Sequence, residues 1–430
     1  MRVTWFAGVS TVLTLAAFQA PVRGQAVDAA LKDRVGQLVE KLDAPKKEAQ
    51  LAAEDALIKL GPRVLPLLPD DPKAGTPERR KRLETIKEKL REATEEANLG
   101  ATKITLKAKG MRLSEVVQKL QAMSGSPITD LREGDGVEAT NPSLDFDIVD
   151  KPFLEALDVV CKLADITPNF FTGDGSVGLM PGAPMTKGPV VYSGPFRVAF
   201  KQIATVRDLQ ADSATATAQF EGVWEPRLRP MLLKLDAEKI KVLDDQDKDV
   251  PAQVTDESTD LVLRPDNPGS ELNLTLQAPG RSAKALKSVK LKADVTVPAG
   301  LRTFRFPTLD VKEPKALKQG DVGVTLESTE IDEQVWKVNV VIAYPQGGEA
   351  FESYRQGLFN NRLWLQKPDG SKFEHNGGFS NTSADEGKLG FEYIFVDAPG
   401  KPGDFGLVYE TPSQVKKIPL EVEFKDVKLP

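Results

Sequence analysis

The two side chains that most often serve as nucleophile and base each occur once, as Cys161 and His375. A relay or a thiolate–imidazole pair needs that imidazole held beside a nucleophile and an orienting acid. His375 lies in Glu374-His375-Asn376-Gly377-Gly378, a composition that predicts a surface turn. Cys161 follows Leu157 by four residues on the apolar face of a predicted helix, where a thiol acts as a small core residue. No Gly-x-Ser-x-Gly elbow occurs in the chain. One Cys cannot close an internal disulfide. One Cys and one His cannot build the usual zinc, iron or copper sites, so no metal and no cofactor are expected.

Carboxylates are the remaining chemical groups. Asp245, Asp247 and Asp249 have the alternate spacing of a calcium loop, but Val250 stands where that loop needs Gly, and its twelfth position is Asp256, not Glu. The expected structure there is a solvated hairpin tip after Ile240 and Val242. Glycoside hydrolysis needs two acids at a set separation. With 63 acidic residues in the chain, their mere presence decides nothing. The Gly-containing runs Thr172 to Gly178 and Gly182 to Gly188 lack a phosphate-loop Lys-Ser/Thr, so no nucleotide site is expected. Four of the five Tyr fall after residue 340, among them Tyr344 and Tyr354, with Trp336 and Trp364 nearby. Exposed, Trp364, Tyr354 and Tyr344 would be ligand contacts that stack on a sugar or peptide; buried, they would be sandwich core.

The elements that must position these groups follow from the rest of the 430 residues. The balance of 57 basic to 63 acidic residues argues against a generic nucleic-acid binder. Residues 1–26 read as a secretory signal. Arg2 is the positive start, Val3 to Ala17 the apolar run, and Gly24-Gln25-Ala26 the cleavage site. The run is too short and too interrupted to span a bilayer, so a periplasmic or secreted protein is expected.

Residues 27–100 have helical periodicity. Leu31, Val35, Leu38, Val39 and Leu42 form one stripe, and Ala49 to Leu60 a second that Gly61-Pro62 ends. Ala52 to Leu68 resembles one unit of a HEAT-type helical repeat. Glu78 to Ala97 is a charged helix of seven basic and six acidic residues, expected to be a solvated face.

Residues 103–180 repeat at an offset of forty. Ile104, Leu106 and Ala108 match Leu144, Phe146 and Ile148 as alternating strands. Leu113, Val116, Val117 and Leu120 match Phe153, Ala156, Leu157 and Val160 as helix faces. Each helix is followed by extended runs, at Pro127 to Leu131, then at Asn169 to Phe171 and Val177 to Met180. Asp150 is the expected N-cap of the second helix. The rhythm of apolar strand, Leu-Ser-Glu-Val-Val or Phe-Leu-Glu-Ala-Leu helix and bounded strand resembles the short N-terminal domain of secretins and TonB-dependent receptors. That resemblance implies a periplasmic domain that contacts partner proteins and has no catalytic residues. Nothing downstream looks like a pore or barrel, so transport is not implied.

From Met185 onward alternation has period two, as in Leu420, Val422 and Phe424 against Glu421, Glu423 and Lys425. Lys367-Pro368-Asp369-Gly370 is a turn signal. The expected fold is α+β and multidomain: helices over 27–100, a duplicated β-α-β domain over 101–182, and two Ig-like antiparallel β-sandwich domains over 188–312 and 319–430. The expected function is that of an exported, non-enzymatic envelope protein acting as a structural or protein-interaction module. The alternative is a cell-wall or glycan-binding module using the C-terminal aromatics. Expected partners are envelope proteins or cell-wall glycan, not nucleic acid.

Overall fold

A computed structural model describes residues 23–69, 75–133, 139–182, 187–253, 257–332, 334–344, 347–348, 350–352 and 361–430. The fold is mixed α+β, about 49% strand and 23% helix. The chain divides into two compact units, one ending at Thr94 and one running from Glu95 to Pro430. Among the described residues, no helix is long and apolar enough to cross a membrane.

The first unit is helical. It holds α1 (Arg23–Lys41), α2 (Lys47–Lys59), a 3-10 turn (Pro62–Leu67) and most of α3 (Pro77–Leu99). Its core joins Val35, Val39 and Leu42 to Leu57, Val64, Leu83, Ile86 and Leu90. Gly61, at φ +79, ends α2 and admits Pro62. The expected signal segment up to residue 22 lies outside the described residues, and Gly24-Gln25-Ala26 falls in the first turns of α1.

The second unit opens with β1 (Lys103–Arg112), α4 (Leu113–Ser124) and β2 (Ile128–Asp130). Next come β3 (Ser143–Pro152), α5 (Phe153–Ala164), β4 (Ile166–Asn169) and β5 (Val177–Pro181). β1 pairs antiparallel with β3, and β5 lies between β2 and β4. Positions forty apart share their conformations. Gly110 and Asp150 are both left-handed, as are the helix ends Gly125 and Asp165. Leu113 N donates to Pro142 O and Phe153 N to Thr102 O, each at 2.9 Å. Two local expectations change. Asp150 is not the N-cap of α5, because it bends the end of β3 at φ +51 and Pro152 takes the cap position. The extended run expected at Asn169 to Phe171 begins earlier, at Ile166, where the left-handed Asp165 ends α5 at once.

The remainder is strand. It comprises β6 (Val190–Ser193), β7 (Phe196–Asp208), β8 (Ser213–Trp224), β9 (Leu232–Asp244) and β10 (Ser258–Val262). β11 (Gly269–Gln277), β12 (Ala285–Phe306), β13 (Lys315–Gln319), β14 (Val322–Ile331) and β15 (Val335–Ala343) follow. The last are β16 (Arg362–Gln366), β17 (Lys372–Glu374), β18 (Phe379–Asp385), β19 (Lys388–Val396) and β20 (Gly406–Lys428). They form a four-stranded sheet (β11-β8-β7-β6), a five-stranded sheet (β13-β14-β15-β19-β18) and a six-stranded sheet (β10-β9-β12-β20-β16-β17).

The six-stranded sheet crosses the border expected near 312–319. β12 and β20 pair from Ala285 with Lys428 to Phe306 with Leu407. Val289 to Val297 and Ile418 to Phe424 fill a core with the four-stranded sheet, while Phe304, Phe306, Leu407 and Tyr409 fill another with the five-stranded sheet. The phase of burial along β12 changes at Gly300, whose φ of +61 resets the alternation. The first of these cores thus draws on residues near both 290 and 420. It retains a cavity of about 40 Å³ beside Gly222, lined by apolar groups such as Leu261, Leu272 and Leu291.

Candidate functional site

α5 is the best-buried helix of the second unit because it is covered on two sides. Its positions Phe153, Ala156 and Val160 pack like their α4 counterparts Leu113, Val116 and Leu120. Leu154 and Cys161 are buried as well, whereas Ser114 and Gln121 in α4 are exposed. Val117, expected to be as buried as Leu157, is only half-buried. The second cover of α5 is the four-stranded sheet.

The contact between them is polar. Asp158 Oδ2 accepts from Tyr192 Oη at 2.5 Å and from Arg197 Nε at 2.7 Å. Arg197 is 5% exposed and reaches Glu221 at 3.3 Å, and Lys201 pairs with Glu221 at 3.2 Å. The guanidinium also lies 5.7 Å from the Phe170 ring centre. Burial alone would ease a proton off Arg197, but the Asp158 carboxylate, Tyr192 and Glu221 together outweigh it and the pKa is raised. Burial, then the Asp158 charge, pushes the Tyr192 hydroxyl well above its ordinary value. Tyr192 is therefore held as a donor, not poised as a base.

A second clamp lies at the start of β1. Glu225 has no exposed surface. It accepts from Thr102 N at 2.8 Å, Thr102 Oγ1 at 2.6 Å and Arg227 Nε at 2.7 Å. Arg227 also donates to the carbonyls of Asn98 and Gly100. These groups fix the β-α-β residues to β8 and its following 3-10 turn, Pro226–Leu228.

His375 is not the free surface-turn residue that its neighbours suggest. It is half-buried where the chain crosses from β17 to β18, from the six-stranded to the five-stranded sheet. Its ring lies 5.3 Å from Tyr393, 6.1 Å from Phe379 and 6.4 Å from Phe395. Asn376 pins the crossover by exchanging two hydrogen bonds with the Val396 backbone, at 2.7 and 2.9 Å. Gly377 is required there, because a Cβ would lie 2.5 Å from Ile394 Cγ2. Among the described residues, buried His375 Nδ1 has no hydrogen-bond partner. Burial lowers its pKa, opposed by the adjacent Glu374 charge.

Of the three aromatics expected to contact a ligand, Tyr354 lies outside the described residues. Tyr344 is buried, with its hydroxyl 2.9 Å from Thr411 Oγ1 and 3.1 Å from Pro412 O. Trp364 is 3% exposed and sits between Lys372, 4.2 Å from its ring centre, and Arg362, at 5.5 Å. Neither has an open face on which a sugar could stack.

The other candidates are also occupied. In the acidic hairpin, Asp244 caps the turn by accepting from Gln246 N and Lys248 N, each at 2.9 Å. Asp245 accepts from Lys284 N, and Asp247 pairs with Lys287. Asp256 lies outside the described residues. Burial, then the Asp158 charge, pushes the Cys161 thiol up to about 12, so no thiolate forms near neutrality. The run from Thr172 to Gly178 uses its amides on Asn267 Oδ1 and Asp266 O. The run from Gly182 to Gly188 is interrupted by residues outside those described.

No family model matches the chain, and no curated protein matches it. Among solved structures it is similar to the conserved domain protein from Bacillus anthracis, at 7% identity over 56% of this chain and 90% of that one, with a TM-score of 0.18. So loose a likeness carries no argument about fold or activity.

Sequence reasoning missed Asp158, Arg197 and Glu225. The repeat held a signal for the first. At the forty-residue offset, α4 has Ser114, Gln118 and Gln121 where α5 has Leu154, Asp158 and Cys161. The positions at which two otherwise matching helices diverge mark the side that one of them docks.

Proposed function

We propose that this is an exported envelope protein that works by holding and presenting surfaces to other macromolecules and catalyses no reaction. In this reading residues 101–182 are a duplicated β-α-β unit with a pseudo-two-fold near Lys107 and Asp147, akin to the short N-terminal domain of secretins and TonB-dependent receptors. The sheets that follow are Ig-like sandwiches, and residues 27–100 are a HEAT-like helical element. Export follows from the leader-like first 26 residues, giving a periplasmic or secreted location with envelope proteins as partners.

The observation that carries the reading is the use of the ionisable groups between the β-α-β residues and the sheets. Asp158, Tyr192, Arg197 and Glu225 are consumed in joining the β-α-β residues to the sheets. β12 and β20 bind the two sheet cores into a single body. Such a body suits mechanical positioning. Purified protein should turn over no ester, glycoside, phosphoester or peptide probe. Hydrolysis abolished by Tyr192→Phe or His375→Ala, with folding intact, would overturn the reading.

A further inference from the structure

The two edges of the five-stranded sheet differ in a way that makes them complementary. Every side chain of β13 and every side chain of β18 is exposed. An open edge offers unpaired N–H and C=O groups to any strand that fits. β13, Lys-Ala-Leu-Lys-Gln, carries Lys315 and Lys318 and no acid. β18, Phe-Ser-Asn-Thr-Ser-Ala-Asp, has no Lys, Arg or Pro, and ends at Asp385 with Glu386 beyond it. Among the described residues, none of Lys315, Lys318 and Asp385 has an ion-pair partner.

The faces match as well as the charges. Leu317 lies across from buried Val324, and Ala384 across from buried Leu389, so both point to the core side. Lys318 and Asp385, across from Gly323 and Lys388, point outward. Four successive antiparallel pairings leave β13 and β18 running in the same direction. A second copy shifted along the sheet therefore meets β18 with its own β13 in parallel. Setting Lys318 beside Asp385 then sets Leu317, 37% exposed here, beside Ala384. The bulge at Thr382 confines this match to Ser383–Asp385 against Ala316–Lys318. Pairing β13 with β13 opposes lysines, and pairing β18 with β18 supplies no cation.

We propose that the chain self-associates head to tail, β13 of one copy adding to β18 of the next. The contact is heterologous and open, so it builds linear arrays, not closed dimers. The pairing is short and its ion pair exposed, so it is weak and sensitive to salt.

Sedimentation velocity of the full chain tests this. Its weight-average mass should rise with concentration at low salt and fall back at high salt. Lys318→Glu and Asp385→Lys should each stay monomeric with an unchanged circular dichroism spectrum and melting temperature. Mixing the two variants should restore the large species, because each then faces a complementary edge. Ala384→Pro, which removes an N–H that faces away from β19 without changing charge, should also abolish assembly. A wild-type chain that stays monomeric throughout would overturn the proposal. So would single charge reversals that assemble like wild type, or a mixture that fails to recover.

Discussion

Arg197 Nε donates to Asp158 Oδ2 at 2.7 Å, joining a strand to a helix whose counterpart forty residues earlier has Gln118 in that place. The pair lies where the β-α-β residues meet the four-stranded sheet, and Tyr192 and Glu221 complete its hydrogen bonding. Without Asp158 the buried guanidinium keeps only the longer contact to Glu221, at 3.3 Å. Arg197→Met and Asp158→Leu should each cost about 3–5 kcal/mol, whereas the double substitution should recover much of that loss. Chemical denaturation of the four proteins, read as a double-mutant cycle, checks this.

His375 should make a pH-dependent contribution to stability whose sign follows from its burial. Burial lowers its folded pKa below the ordinary 6.5. The unfolded chain therefore takes up a proton first as the pH falls. The stabilising effect of the neutral ring is complete above about pH 6.5 and is lost as the pH drops through the folded value. With one His in the chain, a single imidazole NMR titration reports that value directly. His375→Gln should flatten the dependence of melting temperature on pH in this window.

Cys161 is expected to be inert in the native protein. A buried thiol whose pKa is pushed up to about 12 supplies almost no thiolate. A disulfide-exchange reagent should label it slowly until denaturant is added, then stoichiometrically. Rapid native labelling would place the thiol elsewhere than on the covered side of α5.

The shared sheet makes a prediction about fragments. A chain of residues 188–312 retains β6 to β12 but loses Ile418, Leu420, Val422 and Phe424 from its core. It should give a poorly dispersed amide NMR spectrum. Residues 95–430, which retain both long strands, should give a dispersed one.

Much of this fold is legible in the residue pattern. The forty-residue offset places β1, α4, β3 and α5, and the Lys367 to Gly370 turn does link β16 to β17, with Gly370 N donating to Lys367 O at 2.9 Å. The path of β20 was not legible. Its alternation is equally clean from Ile418 to Phe424 whichever core it enters, and period two says nothing about which sheet receives the strand. The burial of Trp364 and Tyr344 was hidden for a similar reason. A strand aromatic reads alike in sequence whether its outer side meets solvent or, as for Trp364, the charged ends of Lys372 and Arg362.

The protein is proposed to act by binding and not by chemistry. Cross-linking mass spectrometry in intact cells at native abundance tests it most directly. The expected result is a reproducible set of cross-links from residues 95–430 to a small number of other polypeptide chains. Cross-links confined to the interior of single molecules would contradict it.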